Sequence, residues 1–172
     1  MKLISNFKFQ ISNLHGFTMI ELIVVFLVMA VLSTVGIASF VDYSRAQVLQ
    51  QAANDLVNTL NTAKTRTVSQ NKPIECPSTS VLQSYSVTIN TGAGTYSLNV
   101  TCSGVTTPLS TTPLTRDVSF NSASDTPPTT TINVIYPVLT GGVRGTGNIV
   151  LMSFNKTKTI TISSSVGNIS VQ

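Results

Sequence analysis

Charge is scarce in this chain: Asp, Glu, Lys and Arg make up only 9% of its 172 residues, against about a quarter in an ordinary soluble domain. Tryptophan is absent and histidine occurs once, as His15. Cysteine occurs twice, as Cys76 and Cys102, with no histidine nearby, so no Cys/His metal site is expected. The acids besides Glu21 are Asp42, Asp55, Glu75, Asp117 and Asp125, scattered through polar segments. No G-x-S-x-G elbow and no phosphate-loop pattern occurs. Without an acid–base or nucleophile constellation, neither an enzyme nor a bound cofactor is expected.

What the chain does have is apolar residues, 42% of the total, and an abundance of Ser, Thr and Asn. That suits one modest domain with an extension, in an extracytoplasmic setting. The net charge is +4, but Lys2 and Lys8 stand at the extreme N-terminus, and without them eight basic residues face six acidic ones. The basic balance is therefore weak evidence for nucleic acid.

The apolar residues are concentrated first in residues 22–41, twenty positions without a charge. As a helix, such a run spans about 30 Å, the thickness of a bilayer's hydrocarbon. Lys2 and Lys8 precede it with no acid among residues 1–16, so the N-terminus should stay in the cytoplasm and the C-terminus should leave it. A secretory signal would have a shorter apolar core and a small-residue cleavage site after it, and here no such site follows.

Glu21 is the exception within this apolar stretch. A carboxylate at mid-membrane costs about 2.5–3.5 kcal/mol on insertion scales and ordinarily faces a partner rather than lipid. No Lys or Arg lies within two helical turns, but a cut after Gly16 would create a positive α-amine on Phe17, four residues earlier. That amine could pair with its own Glu21 or with that of a neighbouring subunit.

The run Gly16-Phe17-Thr18-Met19-Ile20-Glu21-Leu22 resembles the processing motif of type IV prepilins and type II secretion pseudopilins. The resemblance implies that a membrane aspartic peptidase cuts after Gly16 and methylates the amine of Phe17, and that Glu21 guides the subunit into a helical filament. It implies as partners the prepilin peptidase, other pilin or pseudopilin subunits and an inner-membrane assembly platform. The subunit would be a single-pass membrane protein before assembly and part of a periplasmic or extracellular filament afterwards.

Beyond Val41 no Pro or Gly occurs until Pro73, so the helix is expected to continue over residues 17–70, about 80 Å in all, with Gly36 the expected bend. Leu49, Ala53, Leu56, Leu60 and Ala63 recur at spacings of four, three, four and three, marking one apolar face. Two heptads are too few for a coiled coil, so this face should pack on a sheet.

That sheet is expected to begin after Pro73. Tyr85, Val87 and Ile89 alternate, then Tyr96, Leu98, Val100 and Cys102 do so after a Gly-containing turn over residues 91–94, which describes a hairpin. Further strands are expected at residues 118–120, 132–138, 149–154, 160–162 and 169–171, and surface loops at the Thr/Pro/Ser-rich residues 106–113 and 121–131. The expected fold is therefore α+β and pilin-like: a leader at 1–16, a membrane-spanning half-helix at 17–41, an amphipathic half at 42–72, and an antiparallel β domain at 73–172. Cys76 and Cys102 could close a disulfide in an oxidising compartment or remain two buried thiols.

Two segments resemble more narrowly the GspH/FimT class of minor pseudopilins: Ala63-Lys64-Thr65-Arg66 before Asn71-Lys72-Pro73, and the ending from Lys158 through Gly167 to Val171. Some FimT-like subunits bind DNA through arginines after the glycine of that final hairpin. Here Asn168 and Ser170 stand in that stretch, so the cations that would neutralise phosphate are missing. The expected function is a minor pilin or pseudopilin, with a pilus-tip module binding DNA or a surface as the alternative.

Overall fold

The computed structural model describes residues 16–121, 131–138, 142–145, 147–163 and 167–172, except for the side chains at 34–36 and 38. The expected leader apart from Gly16, the interior of the expected loop at 121–131 and the side-chain environment of Gly36 lie outside the described residues. The chain falls into two compact units, Met1–Val41 and Asp42–Gln172. One helix, α1, Met19–Val68, contributes to both.

In the first unit every described side chain of α1 is exposed, with Phe26 at 66%, Val31 at 67% and Phe40 at 70%. A helix that is apolar all round has no solvated face and requires a nonaqueous surrounding or partner helices. The Ser33 hydroxyl is turned onto its own backbone, where Oγ donates to the Met29 carbonyl at 2.7 Å. Among the described residues no helix is long and apolar enough to cross a membrane. The unbroken described part of the apolar run reaches only from Leu22 to Ser33, twelve residues or about 18 Å, because the twenty-residue reading includes positions 34–36 and 38.

In the second unit the helical stripe is buried as its spacing requires: Leu49 is 2% exposed, and Ala53, Leu56, Leu60 and Ala63 are fully covered. The helix ends two residues earlier than the sequence suggests. Gln70 adopts φ 50°, and its N–H donates to the Thr67 carbonyl while that of Asn71 donates to the Arg66 carbonyl. This pair of bonds is a Schellman cap, which satisfies carbonyls that would otherwise be orphaned.

Among the described residues two four-stranded antiparallel sheets follow, where the sequence suggested one. The first has β1 (Leu82–Asn90), β2 (Thr95–Cys102), β3 (Val105–Pro113) and β5 (Thr131–Pro137) in the order β3-β2-β1-β5. The second has β4 (Ser119–Phe120), β6 (Gly147–Ser153), β7 (Lys156–Ile162) and β8 (Ile169–Val171) in the order β4-β6-β7-β8. The register of the first sheet explains its core. Tyr85 lies opposite Val100 and Tyr136, Val87 opposite Leu98 and Val134, and Ile89 opposite Tyr96 and Ile132. Three rows of apolar side chains thus share one face and join the α1 stripe, together with Ile149, Leu151, Ile160 and Ile162 of the second sheet, in one core.

Residues 106–113, expected as a loop, instead form most of β3. The strand pairs with β2 on one side only, and of its nine residues seven are exposed and none is buried. An edge strand without a buried face shows no alternation to read. Its two prolines are compatible with this position because an edge strand leaves half its N–H groups unpaired, and Pro108 sits opposite Asn99 at the register shift beside Leu98.

Cys76 and Cys102 are joined by a disulfide, with their Cα atoms 5.9 Å apart, and both are buried. The bond ties the segment after α1 to the last residue of β2. Close backbone approach also shapes the outer side of β5, where Ile135 and Arg144 exchange two hydrogen bonds of 2.8 Å. At the neighbouring Gly145, with φ +82°, a Cβ would stand 1.9 Å from the Asn133 carbonyl oxygen, so only glycine fits.

Candidate processing and assembly site

The residues singled out at the N-terminus are held in a short non-helical segment leading directly into α1. Gly16, Phe17 and Thr18 precede the helix, and all three are exposed. Phe17 is 82% exposed, and a Cβ added at Gly16 would meet nothing within 4 Å. The Gly16–Phe17 peptide bond is thus outside helical hydrogen bonding and open on its surroundings, the condition a peptidase needs to bind the chain extended.

Thr18 was not singled out from the sequence, yet it fixes where the helix starts. Its hydroxyl accepts the Glu21 N–H at 3.3 Å, and its carbonyl accepts the Leu22 N–H at 3.2 Å, the first bond of the helix. Thr18 is the N-cap and Glu21 the third residue of the first turn, the spacing T-x-x-E of a capping box. That signal was legible in Thr18-Met19-Ile20-Glu21. It gives Glu21 a local role as well, because an acid in the first turn complements the positive end of the helix dipole.

The Glu21 side chain is exposed and forms no ion pair or side-chain hydrogen bond among the described residues. An unmatched carboxylate thus stands on an apolar helix, four residues after the position where a cut would expose a new amine. The same cut would place that positive amine beside the positive end of the helix, an unfavourable juxtaposition that a first-turn carboxylate relieves.

The C-terminal hairpin, the second place considered for binding, is occupied structurally. Gly167 has φ +61° and packs against the Tyr136 ring, while Lys64 Nζ donates to its carbonyl at 3.1 Å. Lys64 therefore joins the helix to the hairpin across 103 residues, a contact that no spacing in the sequence reveals. On the outer face of the first sheet lies a groove lined by Ser84, Ser86, Thr88, Thr101, Thr106, Asn133 and Ile135, none of them charged. It offers hydroxyls but no cation for a phosphate.

Three buried tyrosines resist ionisation. Burial raises Tyr85, Tyr96 and Tyr136 above the usual phenol range, with Tyr136 pushed up to about 12. Tyr85 donates its hydroxyl proton to the Asn71 carbonyl, tying β1 to the end of α1. Tyr85 and Tyr96 are packing groups with anchored tips, Tyr96 bonding Thr59 and Thr112, whereas the Tyr136 hydroxyl is buried with no hydrogen-bond partner among the described residues. Among the described residues no three of His, Cys, Asp and Glu gather where they could hold a metal ion.

Residues 11–37 match the family model described as the prokaryotic N-terminal methylation motif. The match supports a type IV pilin-like prepilin: it indicates a substrate of prepilin peptidase, implies assembly with other pilin subunits and suggests a membrane-anchored precursor. It covers the N-terminal motif and part of the apolar run, and leaves residues 38–172 unmatched. No curated protein and no solved structure matches the chain.

Proposed function

We propose that this chain is a minor pilin or pseudopilin of the GspH/FimT class, a structural subunit rather than an enzyme, which becomes assembly-competent when peptidase cleaves after Gly16 and methylates Phe17. Glu21 then pairs with the Phe17 amine of a neighbouring subunit and sets the register of the filament. The observation that carries this reading is the unmatched carboxylate on an otherwise apolar helix surface, next to an open peptide bond within the matched motif.

In this reading the helix crosses the inner membrane before assembly, with its N-terminus in the cytoplasm, and its apolar surface passes from lipid into the filament core. The disulfide supports an oxidising compartment for the β domain. The filament serves a type IV pilus or a type II secretion machine. The test is Glu21→Val, which removes the carboxylate and keeps the helix apolar. Cleavage after Gly16 should proceed as in the parent while incorporation into filaments is lost, and normal incorporation of the variant would refute the register role.

A further inference from the structure

The β6–β7 hairpin turns through two residues, Phe154 and Asn155, with Ser153 paired to Lys156. Both central residues have positive φ, 45° and 63°, as a type I′ turn requires. Asparagine suits such a position; an aromatic residue does not, and positive φ there is a genuine strain. The ring nevertheless does not reach the core: Phe154 is 49% exposed. An aromatic side chain held at a strained turn and left half in solvent is not there to fill the core.

Its surroundings indicate what it faces. The Arg45 guanidinium stacks over the ring, 4.3 Å from its centre, and Lys156 Nζ donates to the Asp42 carbonyl at 3.4 Å. Asp42 and Arg45 lie immediately after the last residue of the uncharged run, Val41, so the hairpin tip is fastened to the point where the chain leaves its apolar segment. Tyr43, in the same helical turn, is 64% exposed. Two aromatic side chains and two cations, with Asp42 the one acid beside them, thus collect at that boundary. Amphipathic rings belong at the headgroup level of a bilayer, and Lys and Arg there attract anionic lipid.

We infer that, before assembly, the β6–β7 tip docks on the headgroups of the membrane that anchors the chain, with Phe154 inserted at the interface and Arg45 and Lys156 facing lipid phosphates. This rests on the reading of residues 22–41 as a membrane anchor. The docked tip would hold the β domain at a fixed height and orientation on the bilayer, ready to be lifted off when the subunit enters the filament.

The chain has no tryptophan, so Phe154→Trp places a single reporter at the tip. The control is Val105→Trp, at an exposed position opposite Cys102, whose disulfide partner Cys76 lies just beyond the C-terminal end of α1, about 40 Å of helix away from Asp42. Each full-length variant is reconstituted in phosphatidylcholine–phosphatidylglycerol vesicles containing a lipid brominated near the headgroup. The Phe154→Trp fluorescence should be quenched and blue-shifted and that of Val105→Trp should not. Adding Lys156→Gln should lower the docked-to-free ratio about fivefold. A chain that does not co-float with the vesicles would overturn the anchoring reading and this inference together. A chain held in the vesicles, with both reporters quenched alike, would overturn the inference alone.

Discussion

Reducing the Cys76–Cys102 bond should cost the second unit a large part of its stability. The bond spans 26 residues of sequence and encloses β1 and nearly all of β2, the two central strands of the first sheet. On the chain-entropy relation, releasing a loop of that length removes about 12 cal/mol/K of restriction on the unfolded chain, or about 3.5 kcal/mol at 25 °C. For a unit of 131 residues, Asp42–Gln172, the entropy of unfolding is about 0.27 kcal/mol/K, so the midpoint should fall by about 13 °C. Reduction of the unaltered protein is the right perturbation, since it keeps both sulfur atoms and creates no cavity. Near-UV circular dichroism in the tyrosine band follows this unit, which holds all four tyrosines, while the apolar helix contributes only phenylalanine at shorter wavelength. A fall of less than about 1 kcal/mol on reduction would refute the reasoning, by showing that the unfolded chain is already restricted without the bond.

Leu56→Ala empties a fully buried position in the α1 stripe and should destabilise the second unit by about 2–5 kcal/mol in urea titration, the range for large-to-small core changes. Tyr85, Tyr96 and Tyr136 should ionise above pH 10 in a spectrophotometric titration, Tyr136 last, near 12. Because their folded values are raised, the unfolded chain loses these protons first, so their contribution to stability is complete below pH 10 and is lost as pH climbs through their folded values.

The parts of the fold that could be read from the sequence were those with one buried face. Tyr85, Val87 and Ile89 announced β1 because every second side chain enters the core, and Leu49 to Ala63 announced the packing face of α1 for the same reason at helical period. β3 could not be read because neither of its faces is buried and its threonines and prolines carry no alternation. The division into two sheets was equally hidden: β5 pairs with β1 across some forty residues, and strand periodicity names a face but never a partner. At the N-terminus, Glu21 drew attention through the cost of burying charge, whereas Thr18, which caps the helix, was passed over although T-x-x-E stood in plain sight. Lys64 shows the remaining limit, since its bond to Gly167 exists only once the hairpin has folded onto the helix.

The central claim is that a cut between Gly16 and Phe17 turns an anchored precursor into an assembly-competent subunit, and the most direct measurement is the mass of the N-terminal peptide of the chain recovered from assembled filaments. The expected peptide begins at Phe17 with one methyl group on its amine and lacks residues 1–16. A peptide that still carries residues 1–16, or begins at Phe17 with an unmodified amine in chains assembled as efficiently, would contradict it.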